Sequence, residues 1–116
     1  VLLAAGKSSR FNGIKLAQPI ADLNADGQLI KQPLLLHSLD KLNHVADYLT
    51  SKHITNNVVV VLGTHHRKLR QLLPTSCAYR INDNSLDGLS TSVKVGVEAA
   101  RSANASGLLL ALGDHI

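Results

Sequence analysis

Short runs without a polar residue alternate along this chain with longer stretches in which apolar residues return every three or four positions. Residues 1–5, 58–62 and 107–112 are continuously apolar, as expected of parallel strands covered on both faces. The strand over 58–62 should neighbour the first. Leu35, Leu39, Leu42, Ala46 and Leu49 recur at steps of four, three, four and three, which predicts a helix over 33–49 with Pro33 as its first residue. Between 15 and 33 the pattern is only partly alternating, and Asp26-Gly27 is a hairpin signal, so a small excursion is expected over 16–30. Gly63 and Thr64 turn the chain into a short basic helix ending at Pro74, and 78–81 reads as another strand. Ser90 or Thr91 can cap a last helix running to about residue 102, with Val93, Val97 and Ala100 on one face. Strand, helix, strand, helix, strand, helix, strand is the order of an α/β, doubly wound, mostly parallel sheet with helices on both faces.

Composition changes this picture in few places. At 116 residues the chain is a single domain at most. It opens directly on strand residues, contains no Met and stops just after an apolar run, so the expectation is the N-terminal portion of a longer domain, incomplete at the C-terminus. No apolar run approaches the length of a membrane span, and no basic segment with a long apolar core marks a leader. The single Cys77 cannot form an internal disulfide, which points to a cytoplasmic setting. The net charge of +4 is consistent with anionic ligands, and only 65–70, with His65, His66, Arg67, Lys68 and Arg70, is densely basic. Three aromatic residues in all give no stacking platform for single strands, so nucleic acid is not an expected partner.

Candidate chemistry gathers in the loops after the strands, where open α/β sheets collect ligands. After the first strand, Gly6 permits a turn that a side chain would crowd, and Lys7, Ser8, Ser9, Arg10 and Lys15 follow within ten residues. Backbone N–H groups, two hydroxyls and three cations so close together suit a phosphate chain; a polar surface loop is the plain alternative. A P-loop is excluded, because its first glycine would fall on Val1 and its wrapping loop on the strand itself. The dinucleotide pattern fails as well, since the next glycine after Gly6 is Gly13. Arg10 can clamp two phosphate oxygens through its fork, and Lys15 adds a compact charge, whereas Lys7 reads as a solvated lysine.

Two further places stand out. The run 87–94, DGLSTSVK, sets Gly88, Ser90, Thr91 and Ser92 at a helix start, whose free N–H groups suit a ribose or phosphate as well as they suit an ordinary cap. At the end of the last strand, Asp114 could hold Mg²⁺, an ion that keeps several waters and needs only one or two protein carboxylates. The histidines do not make a zinc site: His65 and His66 point in different directions on a helix, His37 and His44 stand two turns apart, and no partner cysteines exist. They are taken as surface groups, and Cys77 as a small apolar filler.

Residues 3–15, LAAGKSSRFNGIK, closely resemble LAAGxSxRxGxxK, the opening signature of the MobA-like nucleotidyltransferases. The GLSTSVK run is similar to a segment of the same family, especially its molybdenum cofactor cytidylyltransferase branch, and Gly113-Asp114 resembles its metal-binding GDxP motif. Asn12 stands where the family has glycine, and Ile116 where it has proline. The resemblance implies a Rossmann-like nucleotidyltransferase fold and transfer of CMP from CTP to a phosphorylated acceptor of the molybdopterin type, with release of pyrophosphate. It implies catalytic roles for Arg10 and Lys15, and nucleotide contacts from Leu3, Ala4, Ala5, Gly6, Ser8, Ser9, Gly88, Ser90 and Ser92. It gives Mg²⁺ to Asp114. The alternatives are a noncatalytic nucleotide-binding or regulatory domain of the same fold, and a family member using GTP or another acceptor.

Overall fold

The computed structural model describes residues 1–5, 15–23, 26–84 and 88–113. Four parallel strands form its main sheet, β1 (Leu2–Ala4), β4 (Val59–Leu62), β5 (Ala78–Ile81) and β6 (Ala111–Leu112), in the order β5-β4-β1-β6. A separate antiparallel hairpin, β2 (Pro19–Leu23) and β3 (Leu29–Pro33), stands outside it. Helices α1 (Leu34–Ser51), α2 (His66–Leu72) and α3 (Leu89–Ser102) make the crossovers. The expected doubly wound α/β arrangement is what forms, and β4 does lie beside β1, with Leu2 level with Val60.

Alternation along β1 separates the two faces. Leu2 and Ala4 join Leu34, Leu35, Leu39, Leu42 and Leu69 in the larger core, under α1 and α2. Leu3 and Ala5 turn the other way, with Val61, toward Val93 and Val95 of α3. Each fully buried leucine contributes about 1.5–3 kcal/mol relative to exposure, so the α1 face, which holds most of them, supplies most of the apolar drive.

Local expectations are corrected at several points. Pro33 is not the first helical residue: it ends β3 opposite Pro19, and its extended backbone (φ −53, ψ 144) serves as the helix N-cap. A proline can close a hairpin base and precede a helix equally well, because its ring fixes a φ that suits both. The hairpin accordingly spans 19–33, with Gly27 at φ 79 in its turn. The apolar run 107–112 is strand only at its end. Among the described residues β6 pairs with β1, with Leu2 level with Ala111, and ahead of it the Leu109 carbonyl accepts from the Val1 nitrogen at 2.8 Å without extending the strand.

α3 is also rotated from expectation. Its buried residues are Ser92, Gly96 and Ala99, while Val97 is 37% exposed. The helix approaches the sheet on its smallest residues: a Cβ on Gly96 would lie 2.9 Å from Val1 Cγ1. Hydrophobic periodicity puts Val97 on the packed face, whereas here Gly96 and Ala99 are buried, with Val93 and Val95 half-buried beside them.

His37 is buried, with 1% of its surface exposed, not the surface group its sequence context implied. Its Nε2 donates to the Ile20 carbonyl of β2, and its Nδ1 accepts from Gln32 Nε2 at 3.3 Å. One imidazole thus pins the hairpin to α1, where a solvent-facing residue would leave the Ile20 carbonyl without this partner.

Candidate functional site

Because every strand of the main sheet is parallel, the chain leaves β1, β4, β5 and β6 at one edge. Ala5, Gly63, Asn82 and Gly113 are the residues that follow the four strands there. Gly6, Ser8, Ser9, Arg10 and Asp114, five of the residues singled out from the sequence, lie outside the described residues. The others can be placed.

Leu3 and Ala4 lie within the paired strand, and Ala5 is buried just beyond it. The Gly113 N–H donates to the Leu3 carbonyl at 2.9 Å, and the Ser38 hydroxyl of α1 donates to the Gly113 carbonyl. Gly113 fits where little else would: a Cβ there would stand 3.2 Å from the Leu3 carbonyl oxygen and 3.5 Å from Leu16 Cδ2. Leu16 is buried in the larger core. Its neighbour Lys15 is exposed at the head of a 3-10 turn over Lys15–Ala17, whose first carbonyl accepts from Gln18 N at 3.1 Å. The ends of β1 and β6 and the anchor of Lys15 therefore meet in one place.

The GLSTS segment is built differently from a serine-capped helix start. Gly88 is the N-cap, at φ 115, and no side chain caps the helix. Ser90 and Thr91 lie inside the first turn, and the Thr91 hydroxyl points back to share its proton between the carbonyls of Gly88 (2.7 Å) and Asn84 (3.0 Å). Gly88 and Ser90 are exposed, whereas Ser92 is buried beneath them.

Asn82 is what sequence reasoning missed. It is 4% exposed at the end of β5, and its Nδ2 donates to Thr91 Oγ1 and Ser92 Oγ, both at 2.9 Å. Its Oδ1 accepts from Asn84 N at 3.0 Å, and its own N–H donates to the Leu62 carbonyl at 2.7 Å. An asparagine in a polar run carries no local sign of this, since its partners stand nine and ten residues away.

Other polar groups do not compete for a role in chemistry. Among the described residues no three His, Cys, Asp or Glu side chains gather as a metal cluster. Burial pushes the Cys77 thiol above its ordinary value of 9.0, which keeps it protonated and a poor nucleophile. Two grooves of about 530 and 520 Å³ open at the amino-terminal edge of the sheet, beside Val58 and Val59. The larger, lined by residues such as Leu42, Leu49, Ile54 and Leu109, carries no titratable side chain. In the described residues no helix is long and apolar enough to cross a membrane.

Against known proteins, residues 1–116 match the family described as the MobA-like NTP transferase domain. No curated protein and no solved structure matches the chain. The chain belongs to the MobA-like NTP transferase family, and is a nucleotidyltransferase acting on a nucleoside triphosphate.

Proposed function

We propose that this MobA-like transferase moves CMP from CTP to a phosphorylated acceptor of the molybdopterin type, releasing pyrophosphate. The observation that carries the reading is the hydrogen bond from Gly113 to Leu3, which sets Leu3-Ala4-Ala5 beside Leu112-Gly113 at the edge where ligands collect in such sheets. Cytosine rather than guanine is favoured by the Ala4-Ala5-Gly6 form of the opening together with GLSTSVK, both of which resemble the cytidylyltransferase branch.

In this reading an acceptor phosphate oxygen attacks the α-phosphorus of CTP, the bond to the β-phosphate oxygen breaks, and pyrophosphate departs. Such a displacement is governed by positioning and charge neutralisation more than by a covalent nucleophile. Lys15 and Arg10 bind the triphosphate oxygens and offset the charge that builds on the leaving group. Ala5 and Gly6, with Leu3 and Ala4 holding them from the strand, contribute backbone contacts, and Ser8 and Ser9 contribute hydroxyls. Gly88 and Ser90 present the exposed start of α3 to the nucleotide, and Ser92 supports them from below.

The donor set suits Mg²⁺: a single carboxylate, Asp114, follows directly on the tightly held Gly113, and an ion that shares its shell with phosphate and water needs no protein cage. When bound, the ion would neutralise phosphate charge.

Pyrophosphate release from CTP and from GTP, with Mg²⁺ and molybdopterin, tests the proposal. Release from CTP well above GTP is expected. Binding of CTP without turnover would replace it with a noncatalytic nucleotide-binding role, and faster release from GTP would overturn the base assignment.

A further inference from the structure

We propose that Asn82 is a positioning residue for nucleotide binding, acting through Thr91 and Ser92 to hold the exposed first turn of α3 in its receptive shape. The inference rests on the assignment of Gly88 and Ser90 to the nucleotide.

Among the described residues Asn82 makes the side-chain bonds that fix the start of α3 to the sheet. The helix N-cap is a glycine in a backbone region that favours glycine and makes no side-chain cap bond, and among the described residues the first turn is tied back by the Thr91 hydroxyl, which Asn82 itself holds. The Asn82 amide is committed at every polar atom: two donors to α3 hydroxyls at 2.9 Å and one acceptor to the Asn84 N–H at 3.0 Å. The backbone of Asn82 is itself tied to β4 through the Leu62 carbonyl. A rigid line therefore runs from the centre of the sheet, through one buried amide, to the segment that meets the ligand. Only an amide of this length supplies two donors and an acceptor at once. The Asn82 bond leaves the Thr91 hydroxyl to donate toward Gly88 and Asn84, so Thr91 serves the loop rather than the ligand. Loss of the amide frees the loop and the helix start together, and the nucleotide must then order them on binding.

The test measures CTP and molybdopterin KM, kcat and melting temperature for the full protein with Mg²⁺, in wild type, Asn82→Ala, Thr91→Val and the double variant. Asn82→Ala should raise the CTP KM about tenfold, the factor that about 1.4 kcal/mol of lost hydrogen bonding produces. The molybdopterin KM should stay unchanged and kcat within about threefold, a split that general loosening of the fold would not give. Thr91→Val should reproduce part of the rise, and the double variant should be no worse than Asn82→Ala, because both changes break one chain of contacts. An unchanged CTP KM in folded Asn82→Ala, equal loss toward both substrates, or simple additivity of the two changes would overturn the inference. Where Asn82→Ala does not fold, Thr91→Val decides alone, and an unchanged CTP KM in that variant refutes the proposal. A wild-type protein that binds neither CTP nor GTP would remove the site assignment and this inference with it; wild-type binding with unaffected variants removes the inference only.

Discussion

Gly113 donates its backbone N–H to the carbonyl of Leu3 across 2.9 Å, joining the last described residue to the strand that opens the chain. The contact is steric as well as polar, since a methyl group on Gly113 would stand 3.2 Å from the Leu3 carbonyl oxygen, tighter than ordinary contact. Gly113→Ala should therefore lower stability by about 1–3 kcal/mol, because a backbone oxygen 3.2 Å from the new Cβ cannot swing aside as a side chain would. Urea denaturation checks this: the midpoint should fall with the slope unchanged.

Lys15 is exposed, so its removal tests chemistry with little penalty in folding. Lys15→Ala should reduce pyrophosphate release at least about a hundredfold, the scale on which a charge-stabilising group acts. Its melting temperature should stay within about 3 °C of wild type. Full activity in this variant would end the role assigned to Lys15.

His37 and Gln32 offer an internal comparison. His37→Ala removes a buried ring and leaves the Ile20 carbonyl without its donor, a loss of about 2–4 kcal/mol. Gln32→Ala removes only a 3.3 Å bond at the edge of the same group and should cost less than about 1 kcal/mol. Chemical denaturation of the two variants measures both, and equal losses would mean that His37 is not the pin of the hairpin.

The hairpin also carries a pH dependence. The Lys41 ammonium donates to Asp22 Oδ2 at 3.0 Å and the Leu23 N–H to Oδ1 at 2.8 Å, and together they hold the Asp22 carboxyl below its ordinary value of 3.8. A depressed folded pKa means the unfolded chain takes up the proton first as pH falls. This contribution is therefore whole above the ordinary value and disappears as pH drops through the folded one. An NMR titration of Asp22 should show the low value in wild type and a return toward 3.8 in Lys41→Met.

The order of elements was readable because each strand is a short apolar run and α1 keeps a clean stripe through Leu35, Leu39 and Leu42. What escaped the sequence depends on partners distant along the chain. Ser90 and Thr91 resemble caps by local rules, yet Thr91 is held by Asn82 and the cap is Gly88. Val97 belongs by spacing to a face from which Gly96 displaces it, because the fit of a helix to a sheet is decided by what lies opposite, here Val1. His37 looked solvent-facing until the hairpin, whose fold rests on a two-residue turn signal, was set against it. Lys15 is legible in the opening signature, whereas its anchoring neighbour Leu16 is not, because one leucine outside a periodic run carries no signal.

The central position of β1 has a kinetic consequence. Leu2 lies between strands that carry Val60 and Ala111, so its two neighbours arrive 58 and 109 residues later. Closing such distant pairings costs loop entropy before any contact rewards it, and refolding slows accordingly. During synthesis one side of β1 therefore stays open until β4 at 59–62 has emerged, and the other until β6 at 111–112 follows.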